Sequence, residues 1–435
     1  MTSVAALEGS ADSALLFCLS QFVSLIPWSM LKIALPGMLS HPWQGLVGSG
    51  LAEVWTKMVS ILALTTPETW LNAPTCWLLG VVVGALAIAN VVVLILKRQA
   101  DQTVDAGLLR RFELRVRAWW MMCVILISGF LLQYIGTIVL FGIVSFWALR
   151  EFITLTPTRR GDHRTLFWVL VVFTPLQYVL VGLGSAYYEL YSIAIPVYGS
   201  LFIPARIAMS GDHKRFLERS AKISVGLLIC VYSLSYAPAL LDLELMTWKP
   251  APATGTLSTE NPALTIEPLE SNPRNTTTDE LRDAASRLEK GDRPRPWKGS
   301  PAGLLFFFVL VVQLGDIFQY SWGQVLGRRM IAPDISRSRT WEGFLGGIAT
   351  TTMVGASLWW VTPFRLWEAA CMSLVIAVMG FCGGMTMSAI KRDRGVADTG
   401  TLVQGHAGVL DRIDSICFSA PVFFHLTRFF FSNLA

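Results

Sequence analysis

What most constrains this chain is a series of apolar runs long enough to cross a lipid bilayer. Residues 76–96 form an uncharged, largely apolar run closed by Lys97 and Arg98. A helix of about 20 apolar residues spans the hydrocarbon core, and in that medium backbone groups must be satisfied within helices or closed barrels. Residues 119–149 are too long for one such helix and predict a short hairpin turning near Gly136. Residues 167–206 predict a second pair, turning near Tyr188 and Glu189. Further runs occupy 223–241, 303–320, 343–361, 367–390 and 416–431. The expectation is an all-α, polytopic integral membrane helical bundle with about 10 transmembrane helices.

Composition agrees. Of 435 residues, 53% are hydrophobic and 15% charged, against about 25% charged in soluble domains; mean hydropathy is +0.52. The net charge of +5 is not a nucleic-acid footprint. The cations cluster in short loops between apolar runs, as in Arg110, Arg111, Arg115 and Arg117, or Arg159, Arg160 and Arg164. Counting from Lys97 and Arg98, every Arg-rich loop falls on one side, the cytoplasmic side by the positive-inside rule. That count brings 323–342 and 391–414 together. The seven cysteines are scattered through apolar segments, which excludes a zinc motif or disulfide framework and fits small packing residues.

Four regions follow. Residues 1–75 form an N-terminal extension, with an uncharged run at 13–31 and an interfacial one at 46–64 broken by Glu53 and Lys57. No cationic segment precedes the first run, so no cleaved signal peptide is expected. Residues 76–248 are an N-terminal transmembrane region of short hairpins. Residues 249–301 are a polar extramembrane linker, rich in Pro, Thr, Glu and Asn, with a short helix expected at 278–289 and a sequon at Asn275. Residues 302–435 form a C-terminal transmembrane domain, which holds the candidate catalytic residues described next.

Between the last two spans lies 388–414, which holds Lys391, Arg392, Asp393, Arg394, Asp398, His406, Asp411, Arg412 and Asp414. An ionised group at mid-span costs roughly 2.5–3.5 kcal/mol on insertion scales. Such a density of charge must face water, other charges or a charged ligand. Carboxylates beside Lys and Arg suit a divalent cation carrying a polyphosphate, since oxygen ligands hold Mg²⁺ and cations hold phosphate oxygens. If the last helix begins near Val409, Asp411 and Asp414 share a face of its first turn. A second constellation lies upstream. Asp316 is ionisable within an apolar run, a functional candidate by default. Gly323, Gly327, Arg328 and Arg329 follow, and then Ser336-Arg337-Ser338-Arg339-Thr340-Trp341-Glu342-Gly343.

Ser388, Lys391, Arg392, Asp398, Gly400, His406, Gly408, Asp411, Arg412 and Asp414 resemble, without a gap, the signature of the CDP-diacylglycerol synthases (phosphatidate cytidylyltransferases). The Asp316 and 336–343 segments look like that family's upstream motifs. The resemblance covers about 302–432 in detail; in 76–241 it extends only to hydropathy and Arg placement. It implies cytidylyl transfer from CTP to phosphatidic acid at a lipid bilayer, with no nucleic acid involved. The expected site is on the cytoplasmic face of a bacterial inner membrane. It implies Mg²⁺ as cofactor and leaves room for a second cation such as K⁺ and for a homodimer. By resemblance, Asp398, Asp414, Asp411 and Asp316 are metal ligands. Lys391, Arg392, Asp398, His406 and Arg412 form the catalytic set, with the three cations on phosphate oxygens. Ser336, Arg339, Thr340, Ser388, Gly400 and Gly408 are substrate-binding.

The chain departs from the pattern at several places. Gly383-Gly384 stands where the family has Gly-Asp, and Ala397 replaces a Lys. Val403-Gln404 replaces an apolar-Pro pair, and Ala407 replaces a Gly. Two rival readings therefore stand beside the first. One is a cytidylyltransferase for another lipid phosphate, such as an isoprenoid one. The other is a catalytically lapsed membrane scaffold or transporter.

Overall fold

A computed structural model describes residues 72–99, 133–155, 159–247, 295–396 and 408–432, with isolated helical residues between 116 and 129. The elements in chain order are α1 (Ala73–Gln99), α2 (Gln133–Leu155), α3 (His163–Gly182), α4 (Ser185–Ala208), α5 (Phe216–Asp242), β1 (Met246–Thr247) and β2 (Arg295–Pro296). Then come α6 (Pro301–Leu326), β3 (Met330–Ala332), β4 (Ser336–Thr340), α7 (Trp341–Ser357), α8 (Leu366–Asp393) and α9 (Leu410–Phe431). The protein is an all-α polytopic membrane bundle. Among the described residues, seven helices, α1 to α6 and α8, are long and apolar enough to cross a membrane.

Two turns lie elsewhere than the hydropathy suggests. Gly136 is inside α2, whose first residue, Gln133, has φ 60; a turn there needs positive φ, not glycine alone. The second hairpin turns at Gly184 (φ 90), ahead of Tyr188 and Glu189, which begin the helical part of α4. The expected spans at 13–31 and 46–64, the 278–289 helix and Asn275 lie outside the described residues.

Local chemistry starts each helix of the C-terminal part. Ser300 caps α6 by accepting from Gly303 N at 3.2 Å, with Pro301 in the first turn, where its missing N–H costs nothing. Thr340 caps α7 through Gly343 N at 3.1 Å. At α8, the Glu368 carboxylate accepts from Arg365 N at 2.7 Å, the acidic half of a capping box. α6 is the central element: Leu304 to Val312 are all buried. Its rings meet α9, with Phe308 and Phe423 stacked at 5.1 Å and Phe364 closing the cluster. α7 lies close on α6 because Gly343 has no side chain. A Cβ there would fall 2.7 Å from Gln319 O, the small-residue contact by which membrane helices approach. Residues such as Val171, Val179, Leu201, Leu345 and Met353 are apolar yet exposed, as lipid-facing surfaces require.

α3, α4 and α5 each contain a π-helical stretch, at Val169–Phe173, Ala194–Gly199 and Leu228–Ser233. Thr174 and Ser233 hydroxyls donate to the Val169 and Leu228 carbonyls, each at 2.9 Å, absorbing acceptors that the wider turns release. At one end of the bundle, β1 pairs with β2, so the two ends of the polar linker meet. At the other end, α2, α5, α6, α7, α8 and α9 converge with the β3–β4 hairpin.

Candidate functional site

α8 runs past the expected end of its span, so Lys391 and Arg392 lie in its last helical turn rather than in a loop. The helix ends at Gly395, whose φ of 68 is readily accessible only to glycine, with Val396 N donating back to Lys391 O at 3.0 Å. α9 begins at Leu410, as expected from the sequence. Asp411, Arg412 and Asp414 therefore occupy its first turns, opposite the end of α8.

The structure brings Asp316 of α6 and Asp414 of α9 together, close enough for the charge of Asp316 to act on Asp414. The Ser415 hydroxyl lies between them, within reach of Asp316 and 3.3 Å from Asp414 Oδ1. Facing both carboxylates is Arg339 from β4. Its guanidinium donates to Gln319 Oε1 at 2.9 Å and stacks over the Phe381 ring at 5.5 Å. It also fills the space beside Gly384, where a Cβ would come within 2.6 Å of Nη2 and 3.8 Å of Asp414 Oδ2. Gln319 is itself held, donating to Ala377 O at 3.3 Å. Two carboxylates in a half-buried setting would repel, and one guanidinium between them offsets that repulsion.

The remaining expected residues divide. Lys391 Nζ meets Asp411 Oδ1 at 3.0 Å, so these two are engaged with each other. Arg392 Nε donates to Ile335 O at 3.1 Å, which ties α8 to the β3–β4 hairpin and joins the two segments that the charge pattern placed together. Arg412 Nε is buried without a hydrogen-bond partner among the described residues, while Arg412 O accepts from Gln313 Nε2 at 3.2 Å. Thr340 serves as a helix cap. Ser388 donates to Gly384 O at 2.7 Å, and Ser336 pairs with Ser338 at 3.2 Å. Gly408 is buried just ahead of α9. Asp398, Gly400 and His406 lie outside the described residues.

Sequence reasoning misses four residues. Gln313 and Gln319 carry a detectable signal, polar amides inside an apolar run. Ser415 carries none, nor does Glu151 of α2, which accepts from Val409 N and Leu410 N at the start of α9. Glu342 docks the turn after α6 by accepting from Arg328 N at 3.1 Å and Arg329 N at 3.2 Å. Its own backbone N–H, with those of Arg329 and Arg328, holds its carboxyl below the ordinary range. Among the described residues no group of three or more His, Cys, Asp or Glu could hold a metal. Asp316, Asp414 and the Ser415 hydroxyl are nonetheless all-oxygen donors. They fit Mg²⁺, which takes one or two carboxylates and leaves the rest of its octahedron to water and phosphate.

A model of the cytidylyltransferase family matches residues 113–430. The chain belongs to that family. This cytidylyltransferase-family chain is 32% identical over 323 residues to the uncharacterized protein YnbB of Escherichia coli K12, covering 73% of this chain and 87% of that one. It is 37% identical over 139 residues to the phosphatidate cytidylyltransferase of Synechocystis, covering 30% of this chain and 47% of that one. It is 33% identical over 120 residues to the enzyme of that name in Staphylococcus haemolyticus, covering 27% and 46%. The chain thus spans about half the length of the phosphatidate cytidylyltransferases it matches. Family membership makes it a nucleotidyltransferase-type integral membrane protein, with a nucleotide and a lipid as its substrate classes.

Proposed function

We propose that the chain transfers the cytidylyl group of CTP to the phosphate of phosphatidic acid, on the cytoplasmic face of the membrane. The observation that carries this reading is the Asp316–Asp414 pair bracketed by Arg339 at one end of the bundle. A phosphate oxygen of the lipid attacks the α-phosphorus of CTP. The bond from that phosphorus to the bridging oxygen breaks, its electron pair leaves with pyrophosphate, and CDP-diacylglycerol forms. Such transfers depend on positioning and charge neutralisation rather than on covalent chemistry by the protein.

The cations have distinct parts in this reading. Arg339 faces the carboxylate pair and neutralises it. Arg412, whose Nε has no hydrogen-bond partner among the described residues, would take a phosphate oxygen. Lys391 is held beside the nucleotide by Asp411. Asp316 and Asp414 would hold Mg²⁺, and when bound the ion supplies further neutralisation of phosphate charge. Asp398 and His406 stay in the proposal on their signature positions alone.

The test is transfer from labelled CTP by the purified protein in nanodiscs. The acceptors are phosphatidic acid, a polyprenyl phosphate and no lipid. CDP-diacylglycerol with release of pyrophosphate supports the reading. Transfer to the polyprenyl phosphate alone would replace phosphatidic acid with the isoprenoid acceptor. No transfer to any acceptor favours the lapsed-enzyme reading, to which the guanidinium beside Gly384 lends its weight.

A further inference from the structure

The first turn of α9 carries Asp411 and Arg412 and leads into Asp414, yet no local side chain caps it. The residue at its cap position is Val409, which has no side-chain acceptor. The first N–H groups of a helix have no partner within it and need one from outside. Here the acceptor arrives from the other half of the chain. Glu151 of α2 takes Val409 N on one carboxylate oxygen at 3.1 Å and Leu410 N on the other at 2.9 Å.

Glu151 is well anchored. Ala148, Leu149 and Phe152 around it on α2 are all buried. The Ser145 hydroxyl, less than two turns back on α2, donates to Cys230 O at 2.7 Å. A second contact ties the same halves together: Glu218 of α5 lies 3.8 Å from Arg394, just after α8. Meanwhile α6 holds the first turn of α9 from its other side through Gln313 and Arg412 O.

The need for such a hold follows from the site. Asp316 and Asp414 repel, and α9 is the more readily displaced there: Asp414 lies near the start of α9, the end that can fray, whereas Asp316 lies well inside α6. A frayed first turn would let Asp414 swing away from Asp316. We propose that Glu151 is a positioning residue: by capping α9 from the N-terminal half, it keeps Asp414 against Asp316 in the geometry that a divalent cation and CTP require. It touches neither substrate. The kinetic part of this inference rests on the cytidylyl-transfer reading; the metal and exchange parts do not.

The experiment compares Glu151→Ala and Glu151→Gln with the native protein in nanodiscs. It measures hydrogen exchange of the 409–412 amides, Mn²⁺ binding by electron paramagnetic resonance, thermal midpoint and transfer kinetics. In Glu151→Ala, exchange at 409 and 410 should quicken and Mn²⁺ should bind about tenfold more weakly, the scale on which outer partners tune metal ligands. Turnover should fall about 10- to 100-fold, the scale of a misplaced reacting group, with KM for CTP little changed. Glu151→Gln retains one acceptor oxygen and should recover part of each loss. A purely structural cap would lower the midpoint or yield without weakening Mn²⁺ binding per folded molecule, and that result overturns the proposal. Native Mn²⁺ affinity in both variants overturns it as well. If Glu151→Ala does not fold, Glu151→Gln decides on the same measurements. A native protein without transferase activity sinks the function reading alone, since Mn²⁺ binding and exchange still decide the role of Glu151.

Discussion

Arg339 stands where a side chain on residue 384 would begin: a Cβ on Gly384 would fall 2.6 Å from its Nη2. The missing side chain at 384 and the guanidinium from β4 are therefore one arrangement. From the sequence, Gly384→Asp alone is expected to add an uncompensated negative charge that Ala397→Lys would balance. The structure changes that expectation, because a cation already lies against position 384.

The first prediction concerns that contact. Gly384→Asp should place a carboxylate on Arg339 and leave the protein folded, whereas Gly384→Asp with Arg339→Gln should lower its stability. Residues in direct contact couple by about 0.5–3 kcal/mol. The four members of the cycle, compared by thermal midpoint in detergent, measure the coupling. Additive effects would show that Arg339 does not respond to position 384.

The carboxylate pair makes the second. Asp316→Asn and Asp414→Asn should each reduce cytidylyl transfer by at least about 100-fold, the scale of losing one preorganised charged group in a dry site. Chelation should abolish transfer and Mg²⁺ should restore it. Asp411→Asn should cost less, because Asp411 is engaged by Lys391. Full turnover in chelator would remove the metal from the mechanism, and equal losses at all three positions would remove the distinction between them.

A third concerns pH. The carboxyl of Glu342 is held below the ordinary range by its own N–H and those of Arg329 and Arg328. A depressed carboxylate contributes stability that is fully present above the unfolded pKa and is lost as pH falls through the folded one. The protection of the 328 and 329 amides, taken relative to their intrinsic exchange at each pH, should therefore hold at neutral pH and fall only below the usual carboxylate range. In Glu342→Gln the exchange should be faster at neutral pH and should lose that dependence. An unchanged profile in the variant would assign the protection to other groups.

Orientation supplies the fourth. By the positive-inside rule, the Arg-rich loops are expected to lie with 391–414 on the cytoplasmic side and the 249–298 linker opposite. Single cysteines introduced by Asp393→Cys and Asn275→Cys, in a chain cleared of its own seven, should respond oppositely to an impermeant thiol reagent in sealed cells. Only the linker position should be modified. Labelling of both would invalidate the orientation.

The amino-acid sequence by itself determines the helical class. Long apolar runs, and cations that refuse to cross the membrane, set that class and group 323–342 with 391–414; Arg392 on Ile335 O realises the grouping. These are local properties, because a residue's transfer energy depends little on its distant neighbours. The signature likewise marks Asp316, Arg339 and Asp414 as chemically unusual in an apolar setting. Sequence does not decide which of them meet. Asp411 and Asp414 read alike, yet one meets Lys391 and the other lies by Asp316, because α8 and α6 pack against the start of α9 and offer each a different partner. Gly384 reads as a lost carboxylate, whereas the fold uses its empty volume for Arg339. Glu151 reads as one charge beside an Arg-rich loop, yet tertiary packing makes it the cap of a helix that begins at Leu410. Each of these pairings joins separate helices or a strand, and only their packing brings the partners within hydrogen-bond or charge range.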